Sequence, residues 1–169
     1  MHTLAFEHLQ TPESLQIIRD IAADVWPKTF AAILSAEQIA YMMKMMYAPE
    51  VMEKELADGF HFEIVKVENI PAGYMVWSPS PETPGTAKLH KLYLLQKYHH
   101  RGIGSAMLDH AAKTLKNAGF KTVKLNVNKY NEQAKKAYLR NGFTIAESVK
   151  IDIGNGFYMD DFVMTKRLI

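Results

Sequence analysis

The spacing of apolar residues changes along the chain and divides it into helical and extended regions. In the first third the apolar residues recur every three or four positions, as on one face of a helix, whereas most later runs alternate with a period of two. Residues 3–9 predict a first strand. A helix follows Thr11-Pro12-Glu13 and extends until Pro27 disturbs its pattern. Two more helices are predicted, one after Ser35 and one over residues 49–58.

The rest of the chain predicts six strands and two helices separated by turns. Residues 60–67 and 73–78 form a hairpin about Asn69-Ile70-Pro71, and a proline-rich loop over residues 78–85 leads to the next strand. The remaining elements are a strand at 87–94, a helix at 102–118, a strand at 122–127, a helix that Asn131 caps and Asn141-Gly142 ends, and strands at 144–153 and 157–166 joined by Gly154-Asn155-Gly156. This order predicts an α+β fold around a mixed sheet.

Composition predicts one compact domain over residues 1–169. The chain is 48% hydrophobic and 22% charged, which is ordinary for a folded protein. It has no cysteine, which excludes disulfides, thiolate metal sites and a thiol nucleophile. Its seven histidines are scattered without the spacing of a metal site, so no bound metal is expected.

Charge and hydropathy narrow the range of partners. The formal net charge of +2 comes from well-mixed acidic and basic residues without a dense basic stripe, so no nucleic-acid partner is expected. No stretch approaches the roughly 20 apolar residues of a membrane span, and the N-terminus lacks the pattern of a secretory signal. These features predict a cytoplasmic protein without a membrane partner.

The segment between the strand at 87–94 and the helix at 102–118 combines two glycines with a helix start. Unpaired N–H groups and the positive end of the helix dipole favour an anion there, and Gly102 and Gly104 let a phosphate approach the backbone. A dinucleotide loop is excluded, because it would need a small residue at Met107 and an acidic residue about 20 positions later. A nucleoside triphosphate loop is excluded because the Gly-Lys-Ser/Thr ending is absent. A flexible helix entry without a ligand stays open at this point.

Three sequence runs around this loop indicate which ligand it binds. They are Lys91-Leu92-Tyr93-Leu94 before it, residues 125–131 (Leu-Asn-Val-Asn-Lys-Tyr-Asn) after the helix, and residues 134–143 (Ala-Lys-Lys-Ala-Tyr-Leu-Arg-Asn-Gly-Phe) beyond them. Together with the loop they resemble the GCN5-related N-acetyltransferase superfamily, in element order over residues 60–168 and in specific motifs over 88–143. The resemblance implies a mostly antiparallel sheet of about seven strands flanked by helices, with a splay between the fourth and fifth strands. It also implies acetyl-CoA as the cofactor and direct transfer of its acetyl group to a primary amine in a ternary complex.

The resemblance assigns most cofactor contacts to backbone atoms. Main-chain groups of Leu92, Tyr93 and Leu94 would bond the pantetheine arm and polarise the acetyl carbonyl. The pyrophosphate would be held by His99, His100, Arg101, Gly102, Ile103, Gly104 and Ser105, and the pantetheine would be lined by Asn128, Asn131, Lys135 and Tyr138. His99 and His100 stand where the family usually has glutamine or arginine and often glycine. We expect both to be solvated loop residues without a catalytic role.

Two side chains are candidates for proton transfer. Asn131, Lys135 and Tyr138 share one helical stripe, and Tyr138 matches the tyrosine that protonates the departing thiolate in many members of the superfamily. His90 lies on the same strand face as Lys88 and matches a base histidine of some aralkylamine acetyltransferases, for which the ordinary titration range of histidine is suited. A packing role for Tyr138 and a structural role for His90 are the alternatives.

The N-terminal helices and the last hairpin are expected to recognise the acceptor. Tyr41, Met45, Tyr47 and Asp160 are the predicted contacts, and the same segments also contribute Met46, Glu50, Glu53 and Asp161. Carboxylates beside an apolar, aromatic surface suit a cationic amine with hydrocarbon around it. A polyamine, a diamine or an aralkylamine would fit this description. Methionines that fill the core and carboxylates that face solvent are the alternative.

Two other functions stay open at the level of sequence. An acetyltransferase for protein or peptide amines would share the cofactor half but have an open acidic groove. A sensor would bind acyl-CoA without turnover, although His90 together with Tyr138 argues against it. Pairing of two copies through the exposed final strand or hairpin is compatible with the sequence, so a homodimer is left open.

Overall fold

The computed structural model describes residues 2–169, and that part of the chain contains seven strands and five helices. The strands are β1 (Leu4–Leu9), β2 (His61–Val67), β3 (Ile70–Pro79), β4 (Thr86–Leu94), β5 (Thr122–Asn128), β6 (Thr144–Gly154) and β7 (Phe157–Arg167). The helices are α1 (Gln16–Phe30), α2 (Ala36–Tyr47), α3 (Pro49–Ala57), α4 (Ile103–Asn117) and α5 (Glu132–Arg140), with short 3-10 turns at Glu13–Leu15 and Gln96–Tyr98. No helix of the described chain is long and apolar enough to cross a membrane.

All seven strands belong to one mixed sheet, in the order β1-β2-β3-β4-β5-β7-β6. Strands β4 and β5 run parallel, with helix α4 as the crossover that a parallel pair requires, and the other described pairs are antiparallel. The parallel pairing joins residues 86–88 to residues 122–124, so His90 and Asn126 lie beyond the last described pair. The predicted α+β sheet of seven mostly antiparallel strands is confirmed, and the early end of this pairing agrees with the predicted splay.

The described chain divides into two compact units. The first comprises the chain up to Ser78 together with Lys91–Ile103, and the second comprises Pro79–His90 together with Gly104–Ile169. The single domain predicted over residues 1–169 stays a prediction.

Helix α1 in the first unit shows how packing overrides a local signal. Its apolar stripe is buried as its spacing predicts, with Ile18, Ala22 and Trp26 on the inner face. The expectation that Pro27 disturbs the helix is wrong, because α1 continues to Phe30 and Ala31 N donates to Pro27 O over 3.0 Å. A proline removes one helical hydrogen bond, whereas the buried side chains of Trp26 and Phe30 hold both sides of it in helical register.

The hairpin of β2 and β3 turns earlier than the sequence predicts. Its turn consists of Glu68 and Asn69, which have positive φ values of 50° and 67°, and β3 already begins at Ile70. Pro71 lies within the strand opposite Lys66, beside a register shift at Val65/Lys66. A proline is tolerated in a strand at such an irregularity, where its missing N–H leaves no ladder bond unmade.

The second unit follows the local chemistry of its sequence closely. Strand β5 buries Val123, Leu125 and Val127 and leaves the alternate residues half-buried. Asn131 caps α5, since its Oδ1 atom accepts from Ala134 N over 3.3 Å, and Gly142 ends it with a φ of 90°. The predicted cap and stop of this helix are confirmed.

Candidate active site

The segment that contains Gly102 and Gly104, here called the glycine loop, leads into the N-terminus of α4. Its backbone is left-handed at His100 (φ 62°) and at Gly102 (φ 77°), and the helix begins at Ile103. A Cβ placed on Gly102 or Gly104 would meet no atom within 4 Å, so the space in front of this backbone is open. Free N–H groups at the positive end of a 15-residue helix, with open space before them, suit a phosphate group.

A cleft lies beside this loop. It has a volume of about 470 Å³ and is lined by His2, Leu4, Arg101, Gly102 and Ile103. The exposed Arg101 supplies a positive charge at its wall. None of the side chains predicted for proton transfer lines it, so the cleft supports anion binding at the loop rather than the position of the reaction.

The two loop histidines differ from each other. His99 Nε2 lies 2.8 Å from the carbonyl oxygen of Leu94 and must be the donor there, because a carbonyl only accepts. The expectation that His99 is a solvated loop residue is therefore wrong, since its half-buried ring joins the loop to the end of β4. His100 is exposed, as expected. One lone pair of Leu94 O is used by His99, which leaves one for the predicted pantetheine contact.

The end of β4 is packed among aromatic rings. The half-buried ring of Tyr93 lies with its centroid 5.6 Å from that of Tyr74 and 5.8 Å from that of Trp26. A Cβ at Gly73 would come 2.5 Å from Tyr93 O, so only glycine allows this approach of the backbones. Leu92, the third predicted main-chain contact, is half-buried in the same strand.

Tyr47, a predicted acceptor contact, lies in the interior of the first unit. It is 3% exposed, its hydroxyl accepts from Trp26 Nε1 over 3.0 Å, and its oxygen lies 2.5 Å from that of Tyr74. Burial raises the pKa values of both tyrosines well above their ordinary range. An acceptor could reach Tyr47 only if this cluster opened. Tyr41 and Met45, one turn apart on α2, are half-buried and keep part of their surface.

A buried ion pair next to Tyr47 was missed by the sequence analysis. Lys91 is 6% exposed, and its Nζ atom donates to Met46 O over 3.1 Å and lies 3.8 Å from Glu55 Oε1. Burial lowers the pKa of Lys91 and raises the pKa of Glu55. The alternation of residues along β4 places Lys91 on the same face as Leu89 and Tyr93, opposite to His90. A lysine on that apolar face was the signal that could have indicated a buried partner.

Tyr138 is half-buried on α5 in the second unit. Its ring lies 5.7 Å from that of Phe143 at 61°, and burial raises its pKa to about 12. Its hydroxyl has no hydrogen-bond partner among residues 2–169. The hydroxyl is therefore protonated throughout the neutral range and available to a ligand.

The other predicted pantetheine contacts have local partners. Oδ1 of Asn128 accepts from Tyr130 N over 2.9 Å, and Oδ1 of Asn131 is the helix cap described above. Lys135 Nζ lies 2.7 Å from Glu132 Oε1. Each asparagine can therefore offer a ligand its amide NH2 group and the second lone pair of its Oδ1 atom.

Ser105 has a partner that sequence reasoning did not find. Asn141 Nδ2 donates to Ser105 Oγ over 3.1 Å and to Ala137 O over 2.8 Å. The sequence analysis assigned Asn141 only the end of its helix, and no pattern along the chain indicates its contact with α4.

Strands β4, β5 and β7 of the second unit share a polar face. Lys88 and the half-buried His90 lie on it in β4, Asn126 in β5 and Asp161 in β7. Asp160, the predicted acceptor contact, points to the opposite face, where Lys129 Nζ lies 2.6 Å from its Oδ1 atom. No group of three or more acidic or histidine side chains within residues 2–169 is arranged to hold a metal ion.

Comparison with known proteins identifies relatives of the whole chain. A model of the acetyltransferase (GNAT) family matches residues 16–143. Spermidine N(1)-acetyltransferase from Thermoplasma acidophilum is 26% identical over 157 residues, with 92% of each chain covered. The structure of PaiA N-acetyltransferase from the same organism, in complex with coenzyme A, matches with a TM-score of 0.77 at 25% identity, over 96% of this chain and 99% of that one.

A structure of more distant sequence shares the fold. A GCN5-related N-acetyltransferase from Rhodopseudomonas palustris matches with a TM-score of 0.81 at 19% identity, over 99% of this chain and 98% of that one. The family model spans well over half of the residues, including the glycine loop and Tyr138. The resemblance found in the sequence motifs is confirmed, and the chain belongs to the acetyltransferase (GNAT) family.

Proposed function

We propose that this acetyltransferase moves the acetyl group of acetyl-CoA to a primary amine of a small molecule by direct attack in a ternary complex. The observation that carries the proposal is the open glycine loop at the start of α4. Full-length similarity to a spermidine N(1)-acetyltransferase supports a small amine as the acceptor, and the PaiA structure in complex with coenzyme A supports the cofactor.

The loop would hold the pyrophosphate of the cofactor. Backbone N–H groups from Gly102 to Ser105 are the donors, and the dipole of α4 and the guanidinium of Arg101 contribute positive charge. Glycine at 102 and 104 keeps the approach free of side chains. When bound there, acetyl-CoA supplies an activated acetyl group.

Tyr138 would act on the leaving sulfur. Its unpartnered hydroxyl stays protonated, because burial raises its pKa to about 12. Complete proton transfer to a thiolate, whose thiol has a pKa of about 8.5, would be uphill from such a phenol. Tyr138 would therefore donate a hydrogen bond to the leaving sulfur without giving up its own proton, and the proton of free CoA would come from solvent.

His90 would accept the proton that the amine must lose. A protonated amine has no lone pair, so the attacking nitrogen has to be neutral when its bond to the acetyl carbon forms. The neutral imidazole, half-buried on the polar face of β4, would take this proton and pass it to water. After the attack the nitrogen carries a second surplus proton, which the same imidazole would take as the amide forms.

The proposal is tested by following release of free CoA with spermidine, diamines, aralkylamines and lysine peptides as acceptors. We expect turnover with a small amine, and a decrease of kcat of about 10- to 100-fold in both Tyr138→Phe and His90→Gln. Acetyl-CoA binding, measured by calorimetry, should be unchanged in His90→Gln. Tight acetyl-CoA binding without turnover of any amine would leave the sensor function, and faster turnover of peptides would identify a protein acetyltransferase.

A matched control separates chemistry from packing. Tyr158 is an exposed tyrosine of β7, so Tyr158→Phe should leave kcat unchanged. Wild-type rates in Tyr138→Phe and His90→Gln on a good substrate would show that neither side chain has the proposed role.

A further inference from the structure

Two neighbouring aspartates of β7 have opposite surroundings. Asp160 is half-buried and has Lys129 Nζ at 2.6 Å. Asp161 is 4% exposed and lies on the other face of the strand. The pair thus contains one carboxylate with a cation in contact and one without.

The register of the sheet defines the surroundings of Asp161. Asp161 lies opposite Asn128 of β5, and Lys124 of the same strand lies beside Lys88 of β4. Residues directly opposite each other project to the same face, and every second residue returns to it. Asp161 therefore shares a face with Lys88, and with His90 two residues further along β4.

The carboxylate of Asp161 is poorly satisfied for a buried charge. Its hydrogen bonding within residues 2–169 consists of one contact, from Asn126 Nδ2 to Oδ2 over 3.4 Å. No lysine, arginine or histidine nitrogen in that part of the chain lies within 4.0 Å of it. Burial raises the pKa of Asp161, and Lys88 and Lys129 lower it only through their more distant charges. A buried carboxylate normally has a cation or several donors in contact, so the oxygens of Asp161 can still accept from a further donor.

We propose that Asp161 binds a protonated amine of the acceptor, and that the acceptor is accordingly a diamine or polyamine held by its non-reacting ammonium group. This inference rests on the proposed function. The amine that attacks must be neutral, so a carboxylate does not serve it by charge, whereas a second amine in the same molecule stays protonated at neutral pH. An ammonium ion offers three donors to the under-satisfied carboxylate.

Lys88 limits the acceptors that the polar face can take. It is half-buried, and burial and the charge of Lys124 lower its pKa. Lys124 itself is paired with Glu82 at 3.3 Å. The positive charge of Lys88 on one side of the face and the carboxylate of Asp161 on the other give the bound ammonium one preferred position, next to Asp161.

The test compares amines of equal chain length that differ in one charge. Butylamine and putrescine share a four-carbon chain, as pentylamine and cadaverine share a five-carbon chain, and only the diamines carry the second ammonium. In the wild type we expect kcat/KM to favour the diamine of each pair. In Asp161→Asn we expect kcat/KM for the diamines to fall about 10- to 100-fold, the usual range for a hydrogen bond between charged groups, with the monoamines within about 2-fold of wild type.

A surface residue supplies the control. Asp152→Asn removes the same charge from an exposed position of β6 and should keep the ratio of diamine to monoamine. Titration of spermidine into the protein without acetyl-CoA gives a readout independent of turnover, and we expect weaker binding in Asp161→Asn than in Asp152→Asn. Asp161→Ser serves as a second variant, and both Asp161 variants should unfold at or above the wild-type temperature because they remove an uncompensated buried charge.

The outcomes distinguish this inference from the proposed function. Turnover of amines with an unchanged diamine preference in Asp161→Asn overturns the inference and leaves the acetyltransferase of small amines intact. Absence of turnover with every amine overturns the proposed function, and the spermidine titration then decides the role of Asp161. Loss of folding in both Asp161 variants would show a structural residue and also overturn the inference.

Discussion

The side-chain amide of Asn141 donates to Ser105 Oγ over 3.1 Å and so joins the end of α5 to the first turn of α4. The same amide donates to Ala137 O over 2.8 Å and thereby holds the last turn of α5. These two helices carry Tyr138 and the residues that follow the glycine loop. The bond thus fixes the spacing between two parts of the second unit that the proposed function uses.

Substitution of either residue should lower the free energy of unfolding, and substitution of Asn141 should lower it more. Ser105→Ala loses one exposed hydrogen bond and should reduce the free energy of unfolding by about 0.5–1 kcal/mol. Asn141→Ala loses both bonds and should reduce it by about 1–2 kcal/mol. Urea unfolding measures both values. Equal effects of the two variants would show that the contact with Ser105, rather than the helix end, carries the stabilisation.

The two loop glycines should separate folding from ligand binding. Gly102 has a φ of 77°, so Gly102→Ala should lower stability by about 1–2 kcal/mol. Gly104 lies in the first turn of α4 and outside the left-handed region. Gly104→Ala should therefore increase the free energy of unfolding by at most about 1 kcal/mol.

Both alanines place a methyl group where we propose that phosphate approaches. Calorimetry should therefore find weaker binding of coenzyme A to both variants, although Gly104→Ala is the more stable protein. Undiminished affinity in Gly104→Ala would show that the loop does not form the phosphate site.

Removal of Lys91 alone should destabilise the first unit, because Glu55 would then be a buried charge without its partner, whereas removal of both charges should not. Lys91→Met leaves the buried Oε1 atom of Glu55 without a cation and Met46 O without its donor, so we expect a loss of about 2–4 kcal/mol at neutral pH. Replacement of both residues, Lys91→Met with Glu55→Leu, should restore most of the loss. In the single variant stability should rise as the pH falls through the raised pKa of Glu55, because protonation removes the buried charge. A double variant as unstable as the single one would contradict this.

His61 should make stability depend on pH. Its ring is stacked 3.9 Å from that of Trp77, and burial and the neighbouring charge of His8 lower its pKa, while Glu63 acts in the opposite direction. The unfolded chain then binds a proton more readily than the folded one, so stability should fall as the pH decreases from about 6.5 through the lowered pKa.

The effect should stay below about 1 kcal/mol because the ring is only half-buried. His61→Phe keeps the stacking and should reduce the difference between unfolding at pH 7.5 and at pH 5. An unchanged difference would assign it to other groups.

Two copies of the chain should pair through strand β6. It lies at the edge of the sheet and carries the exposed side chains of Ile145 and Ile151. We expect light scattering to give the mass of a dimer and Ile151→Lys to give that of a folded monomer. A monomeric wild type would exclude pairing at this edge.

Much of the fold follows from neighbours along the chain. The alternation of Val123, Leu125 and Val127 predicts β5, and the cap at Asn131 and the stop at Gly142 predict the length of α5, because these signals act within a few residues. Pro27 and Pro71 were misjudged because packing and a strand irregularity outweighed their local preference.

Some features of the candidate site could be predicted from the sequence and others could not. The glycine loop could be recognised because its chemistry lies in consecutive backbone atoms. The burial of Tyr47, the hydrogen bond from His99 to Leu94 O and the pair of Lys91 with Glu55 join residues of different elements, and no local pattern indicates them.

The order of the elements, the glycine loop before α4 and the family of the chain can all be recognised in the sequence, since each depends on residue types at short fixed spacings. Which of two adjacent aspartates has a cation in contact depends on the folded chain. Asp160 and Asp161 are alike in the sequence, but the strand sends them to opposite faces, and the charges that meet each face come from distant parts of the chain.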